Sequence, residues 1–523
     1  MAEFVDVLLR ALDLGAQSLA LGGIAFVVIV LRRDGRDAAG PAPGVGRALR
    51  LVAYGAVVVV IAQTLGLVVR LQALADERGW PLRAFVETTS FWASALHVLA
   101  GLSLFGVILA LRQRAPGWPA WGALIVLGVA LAGSSAWMSH AAGRLEHRAV
   151  LLALDGAHQV AAGVWIGGLV HLMVAVYRSR AGAWRRAELQ RFSAMAVGSV
   201  ATLIVAGAAL AIVYVDGGGA LVGTAYGLMI STKVALLAGL LILGAANFRS
   251  IRRLPDGPAV PGERLRSFVE VEVGLGAIAL LVAASLTSLP PAIDVVRDRV
   301  TAAEVAKIFT PVWPRLTSPA IGDLPIDDPL APRTAEDRAW SEYNHHVAGL
   351  FVLAMGGLAL WQYTPRGRWA RHWPLVFLAL AGFLFLRTDP SVWPLGPVGF
   401  WASLAQPQVV QHRFFVLLVI GFGLFEWMVR TDRLRAPRHT LAFPLLCAVG
   451  GGLLLAHGHA MLDVKAEFLA EVTHAPLGLL AIVIGVSRWL EVRLAPAGSG
   501  LSGWLSSVGF VLVGALLLFY RES

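Results

Sequence analysis

One cysteine, Cys447, stands in 523 residues, so no disulfide can form within the chain and a disulfide scaffold is excluded. Charge is equally scarce, at 15% of residues against about 25% in ordinary globular domains. No Gly-x-x-x-x-Gly-Lys-Ser/Thr loop occurs, and no long polar segment between apolar runs could form a nucleotide-binding domain. What is abundant is apolar surface: 57% of residues are hydrophobic, arranged in runs near the ~20 residues that span a ~30 Å hydrocarbon core. Disorder and a collagen-like repeat are excluded by the same composition. The expected fold is all-α, a polytopic integral membrane helical bundle.

Apolar stretches at 12–31, 51–69, 89–111, 118–138, 149–177, 192–215, 224–247, 267–289, 345–363, 373–387, 412–429, 441–457, 473–490 and 501–520 give about 14 transmembrane helices, with 373–387 the short one. The net charge of +10 needs a membrane explanation before a nucleic-acid one, because Lys and Arg accumulate in cytoplasmic loops. Alternate loops carry the arginine clusters: Arg32, Arg33, Arg36, Arg47 and Arg50; Arg178 to Arg191; Arg249 to Arg266; Arg366 to Arg371; Arg430 to Arg438. Placing these in the cytoplasm puts both termini outside. The acidic start of the first span, with Glu3, Asp6 and Asp13, argues against a removable signal peptide. A Pro-rich stretch divides the chain into an eight-helix domain at 1–291, an external loop at 292–343 and a six-helix domain at 344–523. Residues 294–309 within that loop suit a short amphipathic surface helix.

Most of the 13 histidines fall at the expected outer helix ends. Two stretches share a pattern. Met138-Ser139-His140-Ala141 ends one span and Asp155-Gly156-Ala157-His158 opens the next; His457-Gly458-His459-Ala460-Met461 ends another, followed by Glu471-Val472-Thr473-His474. An i,i+3 pair shares a helix face, so each acid and its histidine can point to one place. Neutral imidazole with thioether sulfur suits copper, Cu(I) above all, while a carboxylate can bind Cu(II) or fix the ring tautomer. The candidate metal ligands are therefore His140, Asp155 and His158, with Met138, and separately His457, His459, Glu471 and His474, with Met461. His345, His346 and His412 are candidates to complete the second site.

Blander readings compete. His147, His372 and His439 read as solvated helix-end residues, and adjacent His345 and His346 diverge by about 100° on a helix. His158 lies deep in its span, where polar groups usually face a cavity or the bundle interior. Lys233, also deep, needs a partner; Glu272 on the next helix is the candidate, as an ion pathway or a structural pair. Glu426 reads as an interfacial pairing residue. Gly163 and Gly167 form a Gly-x-x-x-Gly face around Trp165 that permits close helix packing.

Taken together, His140-Ala141, Asp155, His158, Val164-Trp165-Ile166-Gly167-Gly168-Leu169, Arg191-Phe192-Ser193, Gly223-Thr224-Ala225-Tyr226-Gly227, Thr232-Lys233, Gly244-Ala245-Ala246-Asn247, Glu272 and Leu286-Thr287-Ser288-Leu289-Pro290-Pro291 resemble the copper-resistance protein D family. The resemblance covers roughly 120–291. It implies a multi-pass protein of the bacterial inner membrane that moves copper, alongside a small periplasmic copper-binding protein of the C type, with His140 and His158 as ligands. The added helices of 345–520 depart from the short family form, so His457, His459 and His474 rest on spacing alone.

The expected function is copper binding and transport across the bacterial inner membrane, in uptake, homeostasis or resistance, by a transporter or metal-binding protein rather than an enzyme. Two alternatives stand beside it. One is a haem b oxidoreductase exchanging electrons with quinone through His97 with His158, or His412 with His474. The other is a membrane copper chaperone that does not transport.

Overall fold

The structure is a computed structural model that describes residues 2–31, 44–78, 82–111, 118–177, 184–254, 258–259, 262–324, 334–436, 439–456, 464–494 and 500–522. It is an all-α polytopic membrane bundle. Among the described residues, 13 helices are long and apolar enough to cross a membrane. The fourteenth expected span is the 15-residue helix Ala442–Ala456, shorter than a ~30 Å core requires. Conversely, the span expected to be short at 373–387 is lengthened to Arg368–Arg387, because a 3-10 segment at Arg368–Leu375 precedes its helix. The chain divides into two compact units near Arg297 and Asp298.

Unit 1 contains α1 (Ala2–Ala25), α2 (Val45–Arg78), α3 (Leu82–Val86), α4 (Thr89–Ala110), α5 (Trp118–Ala136), α6 (His140–Gly143), α7 (Arg148–Ala162), α8 (Gly168–Tyr177), α9 (Arg186–Tyr214), α10 (Gly217–Gly223), α11 (Ala225–Arg252) and α12 (Glu263–Leu286). Wide π turns extend α1 at Phe26–Val30 and join α7 to α8 at Gly163–Gly167. A two-residue antiparallel pairing links Trp184–Arg185 with Pro258–Ala259.

The central rod is α1, which packs against α2, α5, α7, α8 and α12. Small residues let it do so. A Cβ on Gly22 would lie 2.3 Å from the Gly167 main chain, and one on Gly167 would lie 1.8 Å from the Ser18 carbonyl oxygen. The Gly-x-x-x-Gly face is thus a backbone-to-backbone seam, as membrane helix packing favours. Trp165 is buried beside that seam, and His171 donates Nε2–H to the Leu19 carbonyl across it at 3.0 Å.

Unit 2 contains α13 (Ala302–Ile308), α14 (Ala335–Trp361), α15 (Val376–Arg387), α16 (Phe400–Ser403), α17 (Pro407–Arg430), α18 (Ala442–Ala456), α19 (Val464–Leu494) and α20 (Gly500–Leu518). The expected surface helix within 294–309 is α13, closed by a capping box in which Thr301 and Glu304 satisfy each other's backbone amides. Gly349, Gly356 and Gly514 let α14 and α20 meet at backbone distance. The core is aromatic: Trp373, Phe377, Phe443 and Phe510 pack mostly edge to face, with centroids 5.1 to 6.4 Å apart. Such geometry satisfies the ring quadrupoles as well as burying area.

Candidate functional site

In unit 1, α5 ends at Ala136 and the chain turns at Ser139, whose hydroxyl caps α6 by accepting from the Ala141 amide. This fixes His140 at a bundle end, in a ring of tyrosines. Tyr214, the last residue of α9, lies 6.4 Å away by centroid; Tyr226, in the first turn of α11, lies 6.2 Å away; the two phenols are 6.4 Å apart. Arg144 closes one edge, with its guanidinium 5.4 Å from the Tyr214 centroid and a two-pronged bond to Asp294 at 3.0 and 2.7 Å.

The His140 ring is hydrogen-bonded to the main chain at Leu286, while its Nε2 is buried with no hydrogen-bond partner. Burial holds its proton affinity below the usual histidine value, opposed by the Leu286 bond and reinforced by Arg10 and Arg144, with Asp294 pulling the other way. The Tyr214 hydroxyl is likewise buried and unpartnered. A neutral imidazole with a bare nitrogen among phenols and water-poor surface can ligate a soft cation without first losing a proton.

Ser139 ties this end to the next layer: its hydroxyl donates to the Ala136 carbonyl at 2.7 Å and also acts on the Asp155 carboxyl of α7. Asp155 also accepts from Gln159 Nε2 at 2.8 Å. His158, one turn along the same face, bonds through Nδ1 to the Leu203 carbonyl of α9 at 3.1 Å. Its ring occupies space left by Gly207, where a Cβ would approach Cε1 to 2.9 Å. Lys233 on α11 acts electrostatically on both Asp155 and His158. The structure therefore groups Lys233 with Asp155 and His158, and not with Glu272. Glu272 faces Gly244 and Asn247 instead, and 11 residues of helix, about 16 Å at 1.5 Å each, separate Lys233 from Gly244. Sequence places Glu272 on the next helix but does not say which faces the two helices turn to each other.

A third layer escaped the sequence reading. Asp6, Arg10, Asp13 and Gln17 recur at spacings of four, three and four along α1, a polar stripe on one helical face. It is laced to its neighbours: Arg10 to Asp6 at 2.7 Å, Arg70 to Asp6 at 3.5 Å, His97 to Asp13 at 3.3 Å and Gln17 to Gln159 at 3.3 Å. Met138 belongs to this layer, since its sulfur accepts from Gln63 at 3.0 Å and Ser94 at 3.2 Å. The signal was present as spaced polar residues in an apolar span, but Asp6 and Asp13 carried weight only against a signal peptide.

Among its described residues, unit 2 does not bring the candidate ligands together. His346 is fully buried, accepting from the Arg315 amide at Nδ1 (2.7 Å) and donating from Nε2 to the Tyr520 carbonyl (2.8 Å). Both nitrogens are used, so no lone pair is left for a metal. His345 stacks on Tyr520 at 4.1 Å and bonds the Ser341 carbonyl. His412 pairs with Asp389 at 2.7 Å. His457, His459 and Met461 lie outside the described residues, and Glu471 and His474 have partners of their own.

Glu426, expected to have an anchoring or pairing role, does pair, and it does so within a buried network. It binds Arg430 at 2.6 Å and Arg488 at 2.9 Å, Arg488 binds Glu491 at 2.9 Å, and Tyr363 donates to Glu491 at 2.5 Å. Two acids balance two guanidiniums, and Arg430 lies over Trp373 at 5.1 Å. Tyr363, outside the spans, has its phenol pushed up to about 12 by burial, with Glu491 raising and Arg430 lowering it.

Among the described residues, no group of three or more His, Cys, Asp and Glu side chains stands ready to hold a metal ion. His140 and Asp155 are linked through Ser139 rather than sharing one point. Haem b is not supported either: His97 is enclosed, with Nδ1 on Ser134 and Leu131 and Nε2 facing Asp13.

Comparison with known proteins agrees with the motif resemblance. The copper transport protein CutJ of Bacillus subtilis (strain 168) is 27% identical over 227 residues, covering 41% of this chain and 40% of that protein. The chain thus aligns with less than half the length of that relative. No solved structure matches. Residues 186–286, which run from α9 through α12 and carry Tyr214, Tyr226, Lys233 and Glu272, match the family model of copper resistance protein D, the family that the motifs resemble.

Proposed function

We propose that this chain binds copper and moves it across the bacterial inner membrane, with the ion as cargo. Unit 1 is the conduit. The observation that carries this reading is the buried, unpartnered Nε2 of His140 within the Tyr214 and Tyr226 ring, joined through Ser139 to Asp155 and thence to His158 and Lys233. His140 receives the ion at an extracytoplasmic mouth, with both chain termini on that side. A periplasmic copper-binding protein of the C type is the proposed donor or acceptor.

Asp155 and His158 form a second stage. Lys233 beside them opposes a resident cation there, so the ion is passed on rather than stored. The similarity of residues 186–286 to copper resistance protein D, and of a longer stretch to a copper transport protein, supports copper as the ion. His457, His459, Glu471, His474 and Met461 remain proposed ligands of a second site.

The test uses purified full-length protein in sealed phospholipid vesicles, with luminal copper measured after external Cu(I) is supplied. Copper accumulation by the natural protein, lost in His140→Ala and His158→Ala variants that elute and bind detergent normally, is the expected result. Empty vesicles for the natural protein, or unchanged uptake in both variants, overturns the reading.

A further inference from the structure

The copper path proposed above runs through His140, Asp155 and His158 and leaves the buried Asp13 and His97, between α1 and α4, unused. His97 is fully buried on α4. Its Nδ1 lies 3.1 Å from the Leu131 carbonyl and 2.9 Å from the Ser134 hydroxyl, which itself donates to the carbonyls of Ala130 and Leu131 at 2.8 and 3.0 Å. A carbonyl oxygen only accepts, so Nδ1 carries a hydrogen. In a neutral imidazole Nε2 would then be a bare acceptor. It lies 3.3 Å from Asp13 Oδ1, also an acceptor when ionised, and neither atom has another hydrogen-bond partner. Two acceptors do not face each other in a buried site without a proton between them.

We infer that Asp13 and His97 form a proton-binding site inside the membrane bundle, and that protons taken up and released there are exchanged against the copper ion. The second half of this inference rests on the copper reading above; the first does not.

The surrounding charges allow the proton to leave. From α1, Asp6 and Arg10 face the pair's side of the helix, and from α2 Arg70 reaches Asp6 at 3.5 Å and acts electrostatically on Asp13. One acid and two guanidiniums leave one positive charge over, which compensates Asp13 once the proton has gone. Other ionisable groups near α1 face elsewhere: Asp155 on α7 is joined to α1 through Gln159 and Gln17, His171 on α8 bonds Leu19, and on α12 Glu270 accepts from Tyr177 while Glu272 faces Gly244 and Asn247.

A connection to the copper mouth is built from two rungs between the same helices. His97 bonds Ser134, and one turn further Ser94 bonds the sulfur of Met138, two residues before His140. Protonation at His97 and ion capture at the turn carrying His140 therefore pull on one pair of helices. In the exchange step the proton passes from the Asp13 and His97 pair to water on one side as copper is bound from the other. No electron is transferred and no covalent bond to carbon changes.

The full chain, Asp13→Asn and His97→Gln are placed in sealed vesicles holding a pH-sensitive dye, and Cu(I) is added outside. The natural protein should show luminal pH changing with copper entry, and an imposed pH gradient should change its uptake rate severalfold. Both variants should bind copper with unchanged stoichiometry and lose the gradient response. Copper entry by the natural protein without proton movement, or a full gradient response in Asp13→Asn, overturns the exchange. The proton site itself is read without copper by solid-state NMR of 15N-histidine-labelled protein in lipid, the His97 signals being those lost in His97→Gln. A protonated or shared Nε2 that shifts in Asp13→Asn is expected; a free, unprotonated Nε2 indifferent to that substitution overturns the site, whether or not copper moves.

Discussion

Gly167→Ala probes the closest helix crossing in unit 1. The added Cβ would lie 1.8 Å from the Ser18 carbonyl oxygen, 2.5 Å from its carbon and 3.1 Å from the Gly22 Cα. Ordinary contact begins near 3.4 Å, so the methyl is short by about 1.6 Å against main-chain atoms that no rotamer change can remove. The π turn and α1 must separate by more than an ångström. That movement disturbs the crossing of α1 with α2, where a Cβ on Gly55 already comes 2.8 Å from the Ala16 carbonyl. Overpacking commonly costs about 1–3 kcal/mol; here rigid backbone on both sides puts the expected loss at about 3 kcal/mol or more. The assay is equilibrium unfolding in mixed micelles, followed by tryptophan fluorescence. Gly156→Ala is the control, because its nearest neighbour would be the Ala136 Cβ at 4.0 Å, and removing a mid-helix glycine should itself gain up to about 1 kcal/mol. Equal stability of Gly167→Ala and the natural protein would refute the backbone seam. Ser18→Ala should not rescue the variant, since the obstacle is the carbonyl.

Two further substitutions test other parts of the chain. Glu426→Gln leaves Arg430 and Arg488, among the described residues, with Glu491 as their one remaining carboxylate, and removing one partner of a buried ion network should cost about 3–5 kcal/mol, visible as a lower thermal midpoint in detergent. Gly207→Ala places a methyl 2.9 Å from the His158 ring; vesicle copper uptake should fall severalfold while yield and thermal midpoint change little, and unchanged uptake would remove His158 from the path.

Helix number was legible because a run of apolar residues near bilayer length has few other uses. The span expected to be short shows what composition leaves out: Arg368–Leu375 contains Arg368, Arg371 and His372, which lower its apolar average although it continues the same rod as a 3-10 segment. That Asp155 and His158 share a helix face follows from i,i+3 spacing whatever the helix packs against. Lys233, which acts on both, was not legible as their neighbour, since no rule of spacing says which side of α11 meets α7. His346 shows the opposite failure. Adjacent histidines at a helix end suggest a ligand set, yet its two nitrogens are consumed by the amide of Arg315 and the carbonyl of Tyr520, residues 31 positions before and 174 after it.

The wide turn at Gly163–Gly167 divides the labour of one rod. Each extra residue accommodated in a helix swings everything beyond it by about 100°. The half before the turn accordingly offers Asp155 and His158 toward α9 and α11, while the half after it lays His171 against α1. A single span thereby acts as two tools on one handle: a polar blade, the one that the proposed cargo would meet, and a clamp that grips the central rod, each free to change without re-aiming the other.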